Sequence, residues 1–140
     1  ALILSLDVDL GGFGLPRPTL NHPIVIDPRW RDLASQDCME VDLAWDGVRL
    51  TMEYDGDDHH PVEDAKKAAD DNERQNSLVA MGHMVLRVRY PQIADYSRLA
   101  LLVRQIAHIL DFELVQPTDL QMVRRRRLHA ALLGSGTTCG

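Results

Sequence analysis

Between Met39 and Tyr54 the apolar residues fall on every second position. Met39, Val41, Leu43 and Trp45 alternate with Glu40, Asp42 and Ala44, and Val48, Leu50, Met52 and Tyr54 alternate with Arg49, Thr51 and Glu53. A period of two marks half-buried strands. Asp46-Gly47 lies between the two runs, and glycine's tolerance of positive φ suits a tight hairpin turn. The pattern predicts a hairpin with one apolar face and one acidic face, the latter carrying Glu40, Asp42, Glu53 and Asp55. With Asp46-Gly47 as a two-residue loop, Trp45 pairs with Val48, Asp42 lies opposite Thr51, and Glu53 is the diagonal neighbour of Asp42. Such diagonals are roughly 7–8 Å apart at Cα, so the two carboxylates can converge on one ion. The same register sets Glu40 against Glu53, a like-charge pair that asks for a cation nearby. A solvated acidic strand face accounts for the same alternation.

The rest of the chain follows by periodicity and punctuation. Ala1–Leu10 reads as the end of a helix stopped by Gly11-Gly12, and Gly14-Leu15-Pro16-Arg17-Pro18 as a stiff loop. Asn21–Ile26 is a short strand, Asp27–Asp37 a surface connection, and Gly56–Pro61 a loop of Asp and His. The spacing predicts a helix over Val62–Met81 with Ala65, Ala68, Ala69, Leu78 and Met81 on its apolar side and Gly82 as its stop. Met84–Tyr90 is a strand with Met84, Leu86, Val88 and Tyr90 on one face and Arg87 and Arg89 on the other, ended by Pro91. Ser97 caps a helix to Leu110, with Leu99, Leu102, Val103, Ile106 and Leu110 at core spacing. Thr118 or Asp119 caps a last helix to Leu133, whose apolar side is Leu120, Val123, Leu128 and Leu132, and Ser135–Gly140 is a disordered tail. A strand entered after a helical crossover makes this an α/β protein with a mixed central sheet flanked by helices.

Composition narrows the class. The 140 residues, 45% hydrophobic and 26% charged, suit one ordinary globular domain. No apolar run approaches the ~20 residues that span a membrane. Ala1–Leu10 lacks the basic start of a signal peptide, and the missing initiator Met suggests a processed chain or a fragment. Cys38 and Cys139 form neither a disulfide framework nor a metal-finger spacing, which fits a reducing cytoplasm. A net charge of −6 argues against broad nonspecific binding of nucleic acid, though not against local patches.

The acidic face is the candidate for chemistry. Mg²⁺ prefers hard oxygen ligands and is held by one or two carboxylates, leaving positions for water and a phosphate. Asp42 and Glu53 supply such a pair, the Tyr54 carbonyl can add a ligand, and Asp55 is a third ligand or supports the others. An ion held there acidifies a water and stabilises charge on a phosphodiester. His59 and His60 follow at once: an imidazole near a phosphate serves as acid or base, although adjacent histidines in a polar loop are as readily explained by solvation or by a softer metal. Arg87 and Arg89 share a strand face, where they pair with Asp55 or Glu40 or hold a phosphate. Arg74 lies on the preceding helix within reach of the site. Arg124–Arg127 contact a nucleic-acid backbone, face solvent or bind a partner.

Val41-Asp42-Leu43-Ala44-Trp45 followed by Glu53-Tyr54-Asp55-Gly56-Asp57-Asp58-His59-His60 resembles the very-short-patch-repair-like endonuclease domains of the PD-(D/E)-x-K superfamily. Asp71-Asn72-Glu73-Arg74 and the run Leu78–Val88 resemble the helix and next strand of those domains, and Gly14–Pro18 their lead-in. The likeness spans 1–110, leaving 111–134 as a C-terminal basic helix and 135–140 as the tail. It implies a restriction-endonuclease-like fold and a Mg²⁺- or Mn²⁺-dependent endonuclease acting on DNA in repair, restriction or phage defence. Asp42 and Glu53 match the two acids of the motif, Tyr54 the residue whose carbonyl reaches the metal, and His60 the histidine after the Asp-Gly turn. Asp42, Glu53, Asp55 and His60 are the expected catalytic set, Asp42, Glu53 and Tyr54 the metal ligands, and Arg74 and Arg87 the substrate contacts. Val41 stands in place of the motif's Pro. Asp55 stands where many relatives have Lys, a charge that Lys66, Arg74, Arg87 or His60 would replace. The alternative is a noncatalytic nuclease-fold module that binds DNA or a protein. A homodimer or a protein partner held through the C-terminal helix is the expected assembly.

Overall fold

The computed structural model describes residues 1–31, 38–55 and 64–134. The chain divides into two compact units, Thr19–Val88 and Ala1–Pro18 with Arg89–Gly140. The first holds an α/β arrangement. Strands β1 (Thr19–Val25), β2 (Cys38–Trp45), β3 (Leu50–Asp55) and β4 (Met84–Arg89) form one sheet in the order β1-β2-β3-β4. β1 and β3 run antiparallel to β2, and β4 joins β3 after a helical crossover, so the sheet is mixed. Pro23 sits in β1, an edge strand, where its missing N–H costs no ladder bond on the open side.

The hairpin forms, but its turn is longer than Asp46-Gly47. Asp46–Val48 make a 3₁₀ turn and Arg49 closes it in the left-handed region at φ 51°. Trp45 therefore pairs with Leu50, Ala44 with Thr51 and Leu43 with Met52, which overturns the Trp45–Val48 register. The longer turn is tied to its neighbours: Arg49 Nη1 donates to the Met81 carbonyl at 3.2 Å, and the Arg49 carbonyl accepts from Met84 N at 2.9 Å. The shift is two residues, an even number, so each side chain keeps its face. The expected apolar face gives out at its ends. Val48 lies in the turn and Tyr54 is exposed, whereas Met39, Val41, Trp45, Leu50 and Met52 are buried.

The first-unit helix, counted α2 after a short α1 (Leu2–Ser5), spans Asp64–Ala80 and ends at Gly82 (φ 86°). Its expected apolar side is only partly used. Ala65, Ala68 and Ala69 are exposed, because single methyl groups bring little area to bury. Leu78 carries the packing instead: fully buried, it joins Ile24, Ile26, Met39, Val41 and Ala44, with Trp30, Met81 and Val85 against them.

In the second unit the expected helix to Leu10 is broken: α1 ends at Leu6, in extended backbone, and only a separate 3₁₀ turn at Val8–Leu10 is stopped by Gly11 at φ 97°. The chain then doubles back, with Phe13 N and Leu15 N donating to the carbonyls of Ile3 and Leu4 at 2.9 Å. A Cβ at Gly12 would lie 1.9 Å from the Leu6 carbonyl oxygen, so only glycine permits this return. Beyond β4, Pro91 opens helix α3 (Tyr90–Ala94) and does not merely end the strand; Tyr90 belongs to that helix. Helix α4 (Tyr96–Ile109) is capped by Asp95, two residues before the expected Ser97, and buries Leu99, Leu102, Val103, Ile106 and Ala107.

Helix α5 (Asp119–His129) is capped by Thr118 and followed by a wider turn over Ala130–Gly134. Its packing reverses the expectation. Leu120, Val123 and Leu132 are exposed, while Arg125 and His129 are buried. Arg125 lies 4.2 Å over the Phe13 ring and donates to the Gly12 carbonyl at 3.1 Å. Arg126 lies 4.5 Å over Tyr96, whose ring meets His129 edge-on at 5.7 Å. Aromatic faces attract guanidinium groups, so these arginines are packing elements. No helix among the described residues is long and apolar enough to cross a membrane.

Candidate active site

The acidic face of the hairpin becomes a site where the β2–β3 ladder ends. The last described pair is Leu43 with Met52. Past it, Tyr54 N–H donates to the Asp42 side chain, Oδ2, at 2.7 Å. Continued one step past that pair, the same register would set Asp42 opposite Glu53; the diagonal placement required the Trp45–Val48 register, which does not form. The same shift removes the expected Glu40–Glu53 opposition. A strand residue directs its N–H and C=O to the same side, so the Tyr54 carbonyl also faces β2.

Asp42 is exposed and Glu53 is half-buried. Burial pushes the Glu53 carboxyl above its ordinary range, Arg74 and Arg87 pull it down, and the charges of Asp42 and Asp71 add to the rise. The Asp42 charge is thus one of the smaller contributions to the Glu53 shift, behind burial and the two arginines.

Two arginines reach these acids. Arg74, on α2, places Nη2 at 3.4 Å from Glu53 Oε1 and also donates to the Glu40 carbonyl. Arg87, on β4, donates through Nη2 to Asp55 Oδ1 at 2.6 Å and through Nη1 to Gln75 Oε1 at 3.2 Å. The Asp55 carboxylate beside Arg87 holds the guanidinium more firmly charged than usual. The Nε atoms of both arginines are buried without a hydrogen-bond partner. Asp55 is thereby committed to a cation. Lys66 is exposed on α2. His59 and His60 lie outside the described residues.

Sequence reasoning missed Gln75 and Asp71. Their signal was available: Asp71, Arg74, Gln75 and Leu78 are spaced three and four apart, the spacing of one helix face. That face presents Arg74 to Glu53, Gln75 to Arg87 and its leucine to the core.

A divalent cation fits this donor set. Asp42 and Glu53 are hard oxygen donors on adjacent strands, and their mutual repulsion is what a cation relieves. Among the described residues no group of three or more His, Cys, Asp or Glu is placed to hold a metal. An ion here would rest on two carboxylates, with its other coordination positions left to water and phosphate.

A second polar cluster lies at the turn end of the sheet, in a cleft of about 660 Å³. His22 Nε2 is 3.0 Å from Asp46 Oδ1 there, and Arg49 and His83 share the lining. Burial, with Arg49 and His22 nearby, lowers the His83 pKa against the opposing charge of Asp46, and its Nδ1 is buried without a partner. No family model, curated protein or solved structure matches the chain.

Proposed function

We propose that the chain is a Mg²⁺- or Mn²⁺-dependent DNA endonuclease with a restriction-endonuclease-like fold, acting in the cytoplasm in repair, restriction or phage defence. One observation supports the reading: the Tyr54 N–H, next in the chain to Glu53, holds the Asp42 carboxylate where the β2–β3 ladder ends. Asp42, Glu53 and the Tyr54 carbonyl would hold the ion. Bound there, the ion would acidify a water and stabilise charge on the phosphodiester.

The chain's own residues have separate duties in this scheme. Tyr54 N–H holds the Asp42 carboxylate at 2.7 Å. Asp55 and Gln75 fix the Arg87 guanidinium, which supplies the positive charge that a lysine at position 55 would bring. Arg74 and Arg87 contact the substrate phosphate. His60 serves as acid or base near the leaving or attacking oxygen.

A noncatalytic module that binds DNA or a protein is the second reading. The Arg74–Glu53 and Arg87–Asp55 pairs favour it, since both acids already have cations. Exposed Leu120 and Val123 on α5 suit a protein partner or a second copy. A panel of supercoiled, single-stranded, nicked and mismatched DNA separates the readings. The endonuclease cuts at least one substrate with Mg²⁺ or Mn²⁺ and stops on chelation. The module retains DNA in a gel shift, or a protein partner, and yields no product with either ion.

A further inference from the structure

Arg74 stands where an incoming cation would have to act. Its Nη2 is 3.4 Å from Glu53 Oε1, and the same nitrogen donates to the Glu40 carbonyl. Glu53 is the more enclosed of the two partners: its side chain is 17% exposed against 35% for Arg74. A carboxylate so placed needs a positive charge at hand, and Arg74 supplies it from a flexible side chain anchored on α2. The anchoring is incomplete, because Arg74 Nε is buried with no acceptor. Arg87 differs. It is gripped by Asp55 at 2.6 Å and by Gln75 at 3.2 Å. One guanidinium is fixed on two side chains, and the other rests on the acid that would receive the ion.

We propose that Arg74 is a built-in competitor of the divalent cation: it neutralises Glu53 in the metal-free protein, and ion binding at Asp42 and Glu53 displaces it. This rests on the reading of those two acids as a cation site. Displacement frees the Arg74 guanidinium, including its unpartnered Nε, to meet an acceptor such as a substrate phosphate. The phosphodiester then brings the acceptor that the metal-free site lacks, so ion and anionic substrate should favour each other's binding. Two like charges, Arg74 and the divalent ion, would otherwise crowd one carboxylate.

Mn²⁺ binding by calorimetry tests this without any cleavage. Arg74→Gln removes the competing charge and should bind Mn²⁺ about fivefold more tightly than the wild type, the worth of a surface-to-half-buried ion pair. Asp42→Asn in the Arg74→Gln background should lose that binding. In ¹⁵N-labelled wild-type protein, the Arg74 Nε–Hε signal should shift as Mg²⁺ is added, with the same midpoint as the binding isotherm, while the Arg87 signal holds. The spectrum needs no variant, so it decides the matter even where Arg74→Gln fails to fold. Equal affinities of wild type and Arg74→Gln, or an Arg74 signal that ignores Mg²⁺ while the ion binds, overturns the displacement and leaves the cation site standing. Absence of Mn²⁺ binding from both proteins overturns the displacement and the cation site together.

Discussion

Arg87 donates to Asp55 Oδ1 at 2.6 Å, across from β4 to β3. Asp55 thus draws a cation from the next strand. A lysine there would carry its charge on its own side chain. Here the charge arrives in trans and is steadied by Gln75 at 3.2 Å. Restoring lysine should therefore harm the chain, not improve it. Asp55→Lys sets two like charges together and leaves Arg87 without its carboxylate. It should lower stability by about 1–3 kcal/mol, and Arg87→Gln in the same chain should recover part of the loss. Urea unfolding of the four proteins in the cycle checks this. Additive effects would mean that the two residues do not interact in solution.

Glu53 gives a dependence on pH. Its carboxyl titrates above its ordinary range, mainly because burial disfavours the charged form. A raised folded-state pKa means stability that is present below the unfolded value and is lost as the pH rises through the folded one. Glu53→Gln keeps the neutral form throughout. Its melting temperature should exceed that of the wild type at pH 7, and the gap should close as the pH falls towards 4. A gap that widens in acid would contradict the assignment of Glu53 as a partly desolvated acid.

His83 has the opposite dependence. Burial first, and the Arg49 charge next, lower its pKa below 6.5. The unfolded chain then takes up a proton before the folded one, so stability is complete above the unfolded value and is lost as the pH falls through the folded one. Urea midpoints measured between pH 7.5 and 5 should fall for the wild type. His83→Asn should show a shallower fall, and identical slopes would refute the role of this ring.

The backbone return at Gly12 is tested by a single methyl group. A Cβ there meets the Leu6 carbonyl oxygen at 1.9 Å, and backbone cannot yield as a side chain can. Gly12→Ala should cost more than about 3 kcal/mol or prevent folding, while Gly47→Ala, with nothing within 4 Å, should cost under about 1 kcal/mol. Thermal denaturation of the two variants ranks them.

How much of this was legible in the residues is decided by particular positions. The alternation of Met39 and Val41 against Glu40 and Asp42 holds, because a period of two is set by backbone geometry, but towards the turn it fails: Ala44 and Thr51, on the face read as acidic, are buried. The turn was misread. Asp46-Gly47 has two-residue chemistry, but Arg49 adopts positive φ and offers its carbonyl to Met84, a contact 35 positions away that no local pattern carries. The shift of two residues is even, so Asp42 and Glu53 keep one face. In α5 the pattern failed for a different reason: Arg125 is buried by stacking on Phe13, and a hydrophobic stripe cannot register a guanidinium as a core group. The alanines of α2 were counted as apolar at full weight although they remain exposed. His60, the candidate acid or base, lies outside the described residues.

In the proposed function, Asp42 and Glu53 act together on one ion to hydrolyse DNA. Its most direct measurement is the single-turnover nicking rate of supercoiled plasmid in Mn²⁺ for the wild type, Asp42→Asn, Glu53→Gln and the double variant. Residues that serve as one unit are strongly non-additive. The account predicts that each single variant loses roughly 100-fold or more and that the double variant is little worse than either single one. A wild type that nicks the plasmid no faster than Asp42→Asn would contradict it.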